Sequence, residues 1–226
     1  MCGRFTLRHP RRIRSWGIPE PDLFEVQPRF NIAPSQQILA ITANENELRL
    51  NTFDWGLVPS WSKEATGFIN ARAETLEEKP SFTESFLKRR CLIPADGFFE
   101  WKRRGSDKQP YYFQLKDESL FAFAGIWDVW QYGELRVLSC AIITTTPNEL
   151  LSSIHDRMPV MLQPESHDVW LNSRTPASEL KRMLNPFPAD EMKSHPVGSD
   201  VNHAKIDAEH LVLPVAETPP AQASLF

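Results

Sequence analysis

Three neighbouring segments constrain the fold most. Residues 110–116 (PYYFQLK), 120–127 (LFAFAGIW) and 135–145 (LRVLSCAIITT) are dense in aromatic and β-branched residues. Such side chains suit a pleated, half-buried surface, so each segment reads as a strand. Residues 38–42 (ILAIT) and 47–53 (ELRLNTF) read the same way, the second alternating Leu48, Leu50 and Thr52 against Arg49, Asn51 and Phe53. The polar ANENE stretch between them reads as a hairpin turn. Helical signals are fewer. In PNELLSSIH, Thr146 is placed as the cap and Pro147 at the first helical position, and residues 164–172 and 177–184 are helix-like. Nineteen prolines favour short elements and shaped loops over a bundle of long helices. The expected class is α+β, built around an antiparallel sheet or barrel. One domain over residues 1–212 is expected, then a tail over 213–226 in which ETPPAQASLF follows a Pro-rich break.

Composition narrows the function classes. Hydrophobic residues make up 41% of the 226, enough for a substantial core. No apolar run approaches the length of a membrane span, and MCGRFTLRHP lacks the apolar stretch of a signal peptide. Three cysteines without a CxxC make neither a disulfide framework nor a zinc site, which points to a reducing cytoplasm. No metal or organic cofactor is implied. The net charge of −4 argues against holding nucleic acid by bulk charge. Its distribution says more, because residues 186–226 carry six acids against Lys193 and Lys205, leaving 23 of each sign in residues 1–185. Basic clusters stand out there: the N-terminal arginines, Lys88–Arg90 and Lys102–Arg104. Each triplet reads first as a solvated surface.

Chemistry centres on few residues. Removal of Met1 would leave Cys2 with an α-amine and a thiol on adjacent carbons, at reference pKa values of about 7.7–8.0 and about 8.5. The amine condenses with an aldehyde to an imine, and the thiol, expected to be partly ionised, closes a five-membered thiazolidine. The alternative is a frayed end with an accidental Cys. In FINARAET, Asn70, Arg72 and Glu74 share one side of an alternating run if it is extended. In CLIPADGFFEWK, Glu100 stands among Phe98, Phe99 and Trp101, where desolvation would raise its pKa and make it an acid near neutral pH; otherwise it is a surface Glu at a strand end. His155, in SSIHDRMPVML, is either a proton shuttle or a His satisfied by its neighbours. Cys91 and Cys140 lie in apolar runs and read as core.

Seven segments in register carry a resemblance. MCGRF, RFNIAPSQ (29–36), WGLVPSW (55–61), INARAET (69–75), IPADGFFEWK (93–102), IHDRMPV (154–160) and HPV (195–197) together resemble the SOS-response-associated peptidase family from residue 2 to about 203. The resemblance implies a single compact α+β domain with a β-barrel-like core. It also implies a cleft for single-stranded DNA or single-to-double-strand junctions, and a thiazolidine crosslink between the mature N-terminal Cys and an abasic site. On that basis Cys2 is the crosslinking nucleophile. Asn70 resembles the Asn that hydrogen-bonds near the Cys and the opened sugar. Glu100 resembles the acid/base that assists ring opening and imine formation, and His155 the group that moves protons. Arg4 and Arg72 resemble phosphate-binding arginines, and Trp61 and Pro34 parts of an apolar surface that meets bases. Ser62 stands where some members have a second Trp.

The ending Gln222-Ala223-Ser224-Leu225-Phe226 looks like the QxxLF peptide by which bacterial replication proteins bind the sliding clamp, with Gln222, Leu225 and Phe226 as its anchors. That would place a monomeric, membrane-free protein at bacterial replication forks in the nucleoid. Three functions compete: a DNA-crosslinking protein with weak strand cleavage by β-elimination, a cysteine peptidase or self-processing hydrolase using Cys2 and His155, and a non-catalytic DNA-binding module. The first fits the resemblance best.

Overall fold

The structure, a computed structural model, describes residues 2–18, 26–44, 47–105 and 107–217, so Gln222, Leu225 and Phe226 lie outside the described residues. Strands dominate: β1 (Phe5–Leu7), β2 (Arg29–Ile32), β3 (Gln37–Asn44), β4 (Glu47–Trp55), β5 (Asn70–Arg72), β6 (Arg90–Ala95), β7 (Gly97–Arg104), β8 (Asp107–Leu115), β9 (Phe121–Tyr132), β10 (Leu135–Thr145), β11 (Met158–Pro159), β12 (Met161–Leu162) and β13 (Met192–Pro196). The α-helices are short: α1 (Thr83–Lys88), α2 (Glu149–Ser152), α3 (His167–Leu171) and α4 (Ala177–Arg182). No helix among the described residues is long and apolar enough to cross a membrane.

The sheet expected from sequence closes on itself. β3 pairs with β4 and β6, β6 with β9, β9 with β10, and β10 with β4, giving a five-stranded barrel. Closure leaves these strands no free edge. One joint departs from the antiparallel expectation: β10 and β4 run parallel, with Ser139 opposite Asp54 and Cys140 opposite Trp55. Ile41, Phe53, Ile93, Phe123, Ile126 and Ile142 are buried in this core, as are Cys91 and Cys140. At Gly125 on β9 a Cβ would lie 2.7 Å from the Cys91 sulfur, so that close approach needs glycine.

A second, antiparallel sheet in the order β13-β8-β7-β1-β2 lies beside the barrel. Its central strand, β7, separates two apolar clusters. Phe98 joins the main core, while Phe99 joins Tyr112, Val197, Val201, Leu211 and Val212. Alternation along a strand requires this split. Removing each of these rings from water contributes about 2–3 kcal/mol.

Several local expectations change. The helix after β10 is capped by Asn148, not Thr146, and Pro147 lies outside it. The Asn148 side chain accepts from the Leu151 N–H at 3.0 Å and donates to the Phe187 carbonyl at 2.7 Å, which fixes where the first turn begins. Residues 164–172 split into a 3-10 turn, Pro164–Ser166, and α3. Residues 213–217, placed with the tail from sequence, hold to the body: the Val215 N–H donates to Pro196 at 3.0 Å, and the Tyr111 hydroxyl donates to Glu217.

Candidate active site

The site starts from β7. β1 runs antiparallel to it, with Phe5 opposite Phe98 and Thr6 opposite Gly97, and the Phe99 N–H donates to the Arg4 carbonyl at 3.0 Å. Continuing that register backward sets Gly3 opposite Glu100 and Cys2 opposite Trp101, and the Cys2 thiol feels the Glu100 charge. Glu100 shares its strand parity with Phe98 and so faces the main core, only 1% exposed. Burial raises its pKa to about 7, with Asp156 adding in the same direction and the amino terminus acting against it. The surface reading of Glu100 is therefore set aside.

His155 enters from the loop between α2 and β11. Its Nε2 lies 3.7 Å from the Glu100 carboxylate. Its Nδ1 lies 3.0 Å from the Arg157 amide nitrogen, 3.2 Å from the Arg157 carbonyl and 3.1 Å from Asp156, which hold the ring with Nε2 toward Glu100. Burial, then the charge of the amino terminus, lowers the His155 pKa, while the exposed Asp156 opposes them. Around neutral pH the pair is thus a carboxyl that can gain or lose a proton beside an imidazole that is mostly uncharged.

Cys2 corrects one expectation. Its side chain is fully buried, and burial, reinforced by the charge of Glu100, pushes the thiol pKa up. The partly ionised thiol expected from a free N-terminus is therefore not what the fold provides. A proton acceptor has to take its proton as sulfur reacts, and Glu100 is the adjacent group.

The remaining candidates occupy neighbouring elements. Asn70 and Arg72 sit on β5, opposite Ile142 and Thr144 of β10. β11, which follows the His155 loop, pairs with the same end of β10 through Thr144 and Thr145. Both polar atoms of the Asn70 carboxamide are buried without a hydrogen-bond partner, a costly arrangement that a ligand would relieve. Arg72 is exposed. Glu74 does not continue the alternation, because Ala73–Thr75 turns into a 3-10 helix; it pairs instead with both terminal nitrogens of Arg157, at 2.6 and 2.9 Å. Arg157 also donates to the Thr144 carbonyl, tying the His155 loop to β10. Arg4 is half-buried and donates to Asn31 at 3.5 Å and to the Asn202 carbonyl at 3.3 Å. Pro34 and Trp61 spring from loops at one end of β4: the Ser35 N–H donates to the Trp55 carbonyl, and the chain leaves Trp55 toward Trp61. Trp61 is 63% exposed. The backbone beside it is pinned, since Ser60 N–H donates to Asp128 and Trp130 Nε1 donates to the Ser62 carbonyl.

Glu100 and His155 open into a cleft of about 410 Å³ whose other lining residues are Trp101, Arg103, Lys108 and Asn202. Sequence reasoning passed over these four. The basic triplet was visible and Arg103 is exposed, as its reading as solvated surface expected, but its place opposite Lys108 across β7 and β8 comes from strand pairing. Nothing local marks Asn202, whose Oδ1 accepts the Trp101 indole N–H at 2.7 Å from 101 residues away. A larger cavity, about 790 Å³, lies between the Pro10–Trp16 turn and residues 115–121 and contains none of these groups. Among the described residues, no cluster of three or more His, Cys, Asp or Glu could hold a metal ion.

Comparison with known proteins converges on one family. The profile of the family described as SOS response associated peptidase (SRAP) matches residues 1–204. The abasic site processing protein YoqW of Bacillus subtilis (strain 168) is 46% identical over 222 residues, covering 94% of this chain and 99% of that one. The abasic site processing protein YedK of Escherichia coli (strain K12) is 29% identical over 95% of this chain and all of its own. The abasic site processing protein HMCES of Xenopus tropicalis is 31% identical over 88% of this chain and 70% of its own. A crystal structure of a Bacteroides thetaiotaomicron protein superposes with a TM-score of 0.82 at 28% identity, covering 95% of this chain and all of that one. With the family profile matching residues 1–204 and a relative 46% identical over 94% of its length, this chain belongs to the SOS response associated peptidase family.

Proposed function

We propose that the protein processes abasic sites in DNA by capturing the ring-opened aldehyde on Cys2, the residue exposed as the amino terminus once Met1 is removed. The observation that carries this reading is the placement of Cys2 beside a buried carboxyl of near-neutral pKa, itself 3.7 Å from an imidazole. Relatives named as abasic site processing proteins supply the substrate class.

The chemistry balances without a cofactor. Glu100, protonated in part near pH 7, delivers a proton to the ring oxygen as the hydroxyl proton leaves, opening the deoxyribose to its aldehyde. The Cys2 α-amine adds to that carbonyl and water departs, giving an imine. The thiol then adds across the C=N bond: sulfur bonds to carbon, and its proton passes through Glu100 to the nitrogen. Because burial disfavours the thiolate, the proton leaves as sulfur attacks. Asn70 satisfies its buried carboxamide on the opened sugar, and His155 exchanges protons with Glu100. Arg4 and Arg72 meet phosphates, while Trp61 and Pro34 offer an apolar surface to unpaired bases. The imine also permits slow strand cleavage by β-elimination. The peptidase reading is less supported, since a peptidase thiol is activated by a lowered pKa and this one is pushed up.

The test mixes protein whose mass confirms Met1 removal with a single-stranded oligonucleotide bearing one abasic site, followed by a denaturing gel. A heat-stable shifted band is expected that needs both the lesion and Cys2. Cys2→Ala should give none, and Cys2→Ser none or a less stable adduct. A wild-type yield of heat-stable adduct from Cys2→Ser would refute the thiol step.

A further inference from the structure

Arg103 and Lys108 present an energetic anomaly. They are direct partners across the antiparallel pair β7–β8, and like charges in that position destabilise a hairpin. The next pair along the strand, Lys102 and Gln109, carries one charge instead of two. Both residues are exposed, yet both line the cleft that holds Glu100 and His155. Among the described residues neither makes a hydrogen bond or ion pair. An anion held between them would offset the repulsion, and the cleft already belongs to a substrate that carries one phosphate per nucleotide.

Resting on the abasic-site reading, we infer that Arg103 and Lys108 form a clamp for the phosphodiester adjoining the lesion. It brings the lesion sugar into the cleft beside Glu100. Lys108 supplies a compact point charge and Arg103 a planar fork of donors, a combination suited to the two unesterified oxygens of a phosphodiester.

Arg103 has a second effect that Lys108 lacks. The charged groups acting on the His155 ring are Glu100 and Arg103 from β7, Asp156 from its own loop, and the amino terminus; Arg103 is among those that lower its pKa. The residue that grips substrate therefore also helps keep His155 uncharged. Removing it should move the His155-dependent limb of the pH–rate profile to higher pH.

The experiment uses the full chain with Met1 removed, as confirmed by mass. Arg103→Gln, Lys108→Gln and the double variant are compared with Lys102→Gln, an adjacent loss of charge outside the cleft. Affinity for a single-stranded abasic oligonucleotide is measured by anisotropy across salt concentrations. Each cleft variant should reduce the slope of log affinity against log salt by about 0.7, and the double variant by about twice that. Lys102→Gln should leave it nearly unchanged. Replacing the phosphate on one side of the lesion with an uncharged methylphosphonate should weaken the wild type and leave the double variant unaffected. The adduct-rate pH profile should shift upward in Arg103→Gln and not in Lys108→Gln. Thermal melting of unliganded protein guards against misfolding, and loss of either charge should leave the melting temperature unchanged or higher. A double variant that keeps the wild-type slope, or loses no more than Lys102→Gln, overturns the clamp. If the wild type forms no adduct while the cleft variants still flatten the slope, the capture reading fails and the phosphate contact stands.

Discussion

Asp96 and Glu100 are four residues apart, at the start and in the middle of the same strand region, and neither is more than 1% exposed. Their surroundings differ completely. Asp96 accepts from the Thr6 hydroxyl at 2.6 Å, the Arg8 N–H at 2.6 Å, the His9 N–H at 3.1 Å and the Arg8 guanidinium at 3.3 Å. Every one of those donors ties an Asp96 oxygen to the β1 segment. Glu100 is set instead among aromatic rings opposite an imidazole, and burial raises its pKa to about 7. Burial alone therefore does not mark a reactive carboxyl. Glu100 also accepts from the amino terminus and the Trp101 N–H, and burial outweighs both, whereas Asp96 is held by four donors from the β1 segment. Asp96 holds the β1 segment in place, and that placement is what brings Cys2 to Glu100.

The sharpest way to break this comparison is to remove each carboxylate in turn. Glu100→Gln keeps the shape and loses the exchangeable proton, so the adduct-forming rate should fall by about 10²–10⁴-fold. Folding should be unharmed. Asp96→Asn should do the reverse. One oxygen becomes a donor facing donors and the Arg8 ion pair is lost, which should cost about 3–5 kcal/mol in denaturant unfolding. Crosslinking per folded molecule should stay near wild type at low temperature. If Asp96→Asn leaves stability alone and abolishes the adduct, the division of labour is wrong.

The pH dependence of stability tests Glu100 by itself. Glu100 has a folded pKa of about 7 against an ordinary value near 4.5, so between those values the folded state binds more protons than the unfolded state. Its contribution therefore favours folding below about pH 4.5 and is lost as pH rises through 7, a swing of about 3 kcal/mol. Glu100→Gln should abolish that slope and be the more stable protein above pH 7. Paired urea titrations at pH 5 and pH 8, wild type against Glu100→Gln, read the difference directly. A wild type no less stable at pH 8 than Glu100→Gln would mean Glu100 is ionised comfortably and is not the poised acid.

This contrast was only half legible in the sequence. Glu100 could be read because its aromatic neighbours are adjacent in the chain, and local composition reports desolvation. Asp96 could not. An Asp before Gly reads as a turn residue, and it does sit at the β6–β7 corner, but its partners Thr6, Arg8 and His9 lie 87–90 residues away. Cys2 was identified by its position and its chemistry, while its burial depends on the long-range pairing of β1 with β7. The same rule covers the fold. The strands at residues 38–53 and 110–145 announced themselves by composition, whereas barrel closure through the parallel β4–β10 pair joins residues 85 positions apart. Asn70 was visible as a polar residue in an apolar run. The 3-10 turn that carries Glu74 off to Arg157 was not, because the distant arginine sets it.

The smallest effect tests how redundant the Asp96 hub is. Tyr112 stacks its ring under Gly97 so closely that a Cβ there would lie 2.1 Å from the hydroxyl oxygen. That hydroxyl sits 2.8 Å from the Thr6 oxygen and donates weakly, at 3.4 Å, to the Asp96 carbonyl. Tyr112→Phe keeps the ring and deletes the Thr6 bond together with the weak one to the Asp96 carbonyl. Thr6 still donates to Asp96 at 2.6 Å, so no charge is stranded, and the cost should be that of an ordinary hydrogen bond, about 1 kcal/mol. Asp96→Asn and Tyr112→Phe combined should then cost roughly the sum of the two. A loss of about 3 kcal/mol from Tyr112→Phe alone would mean the hydroxyl polarises Thr6 and through it the carboxylate, so that the hub acts as one cooperative unit.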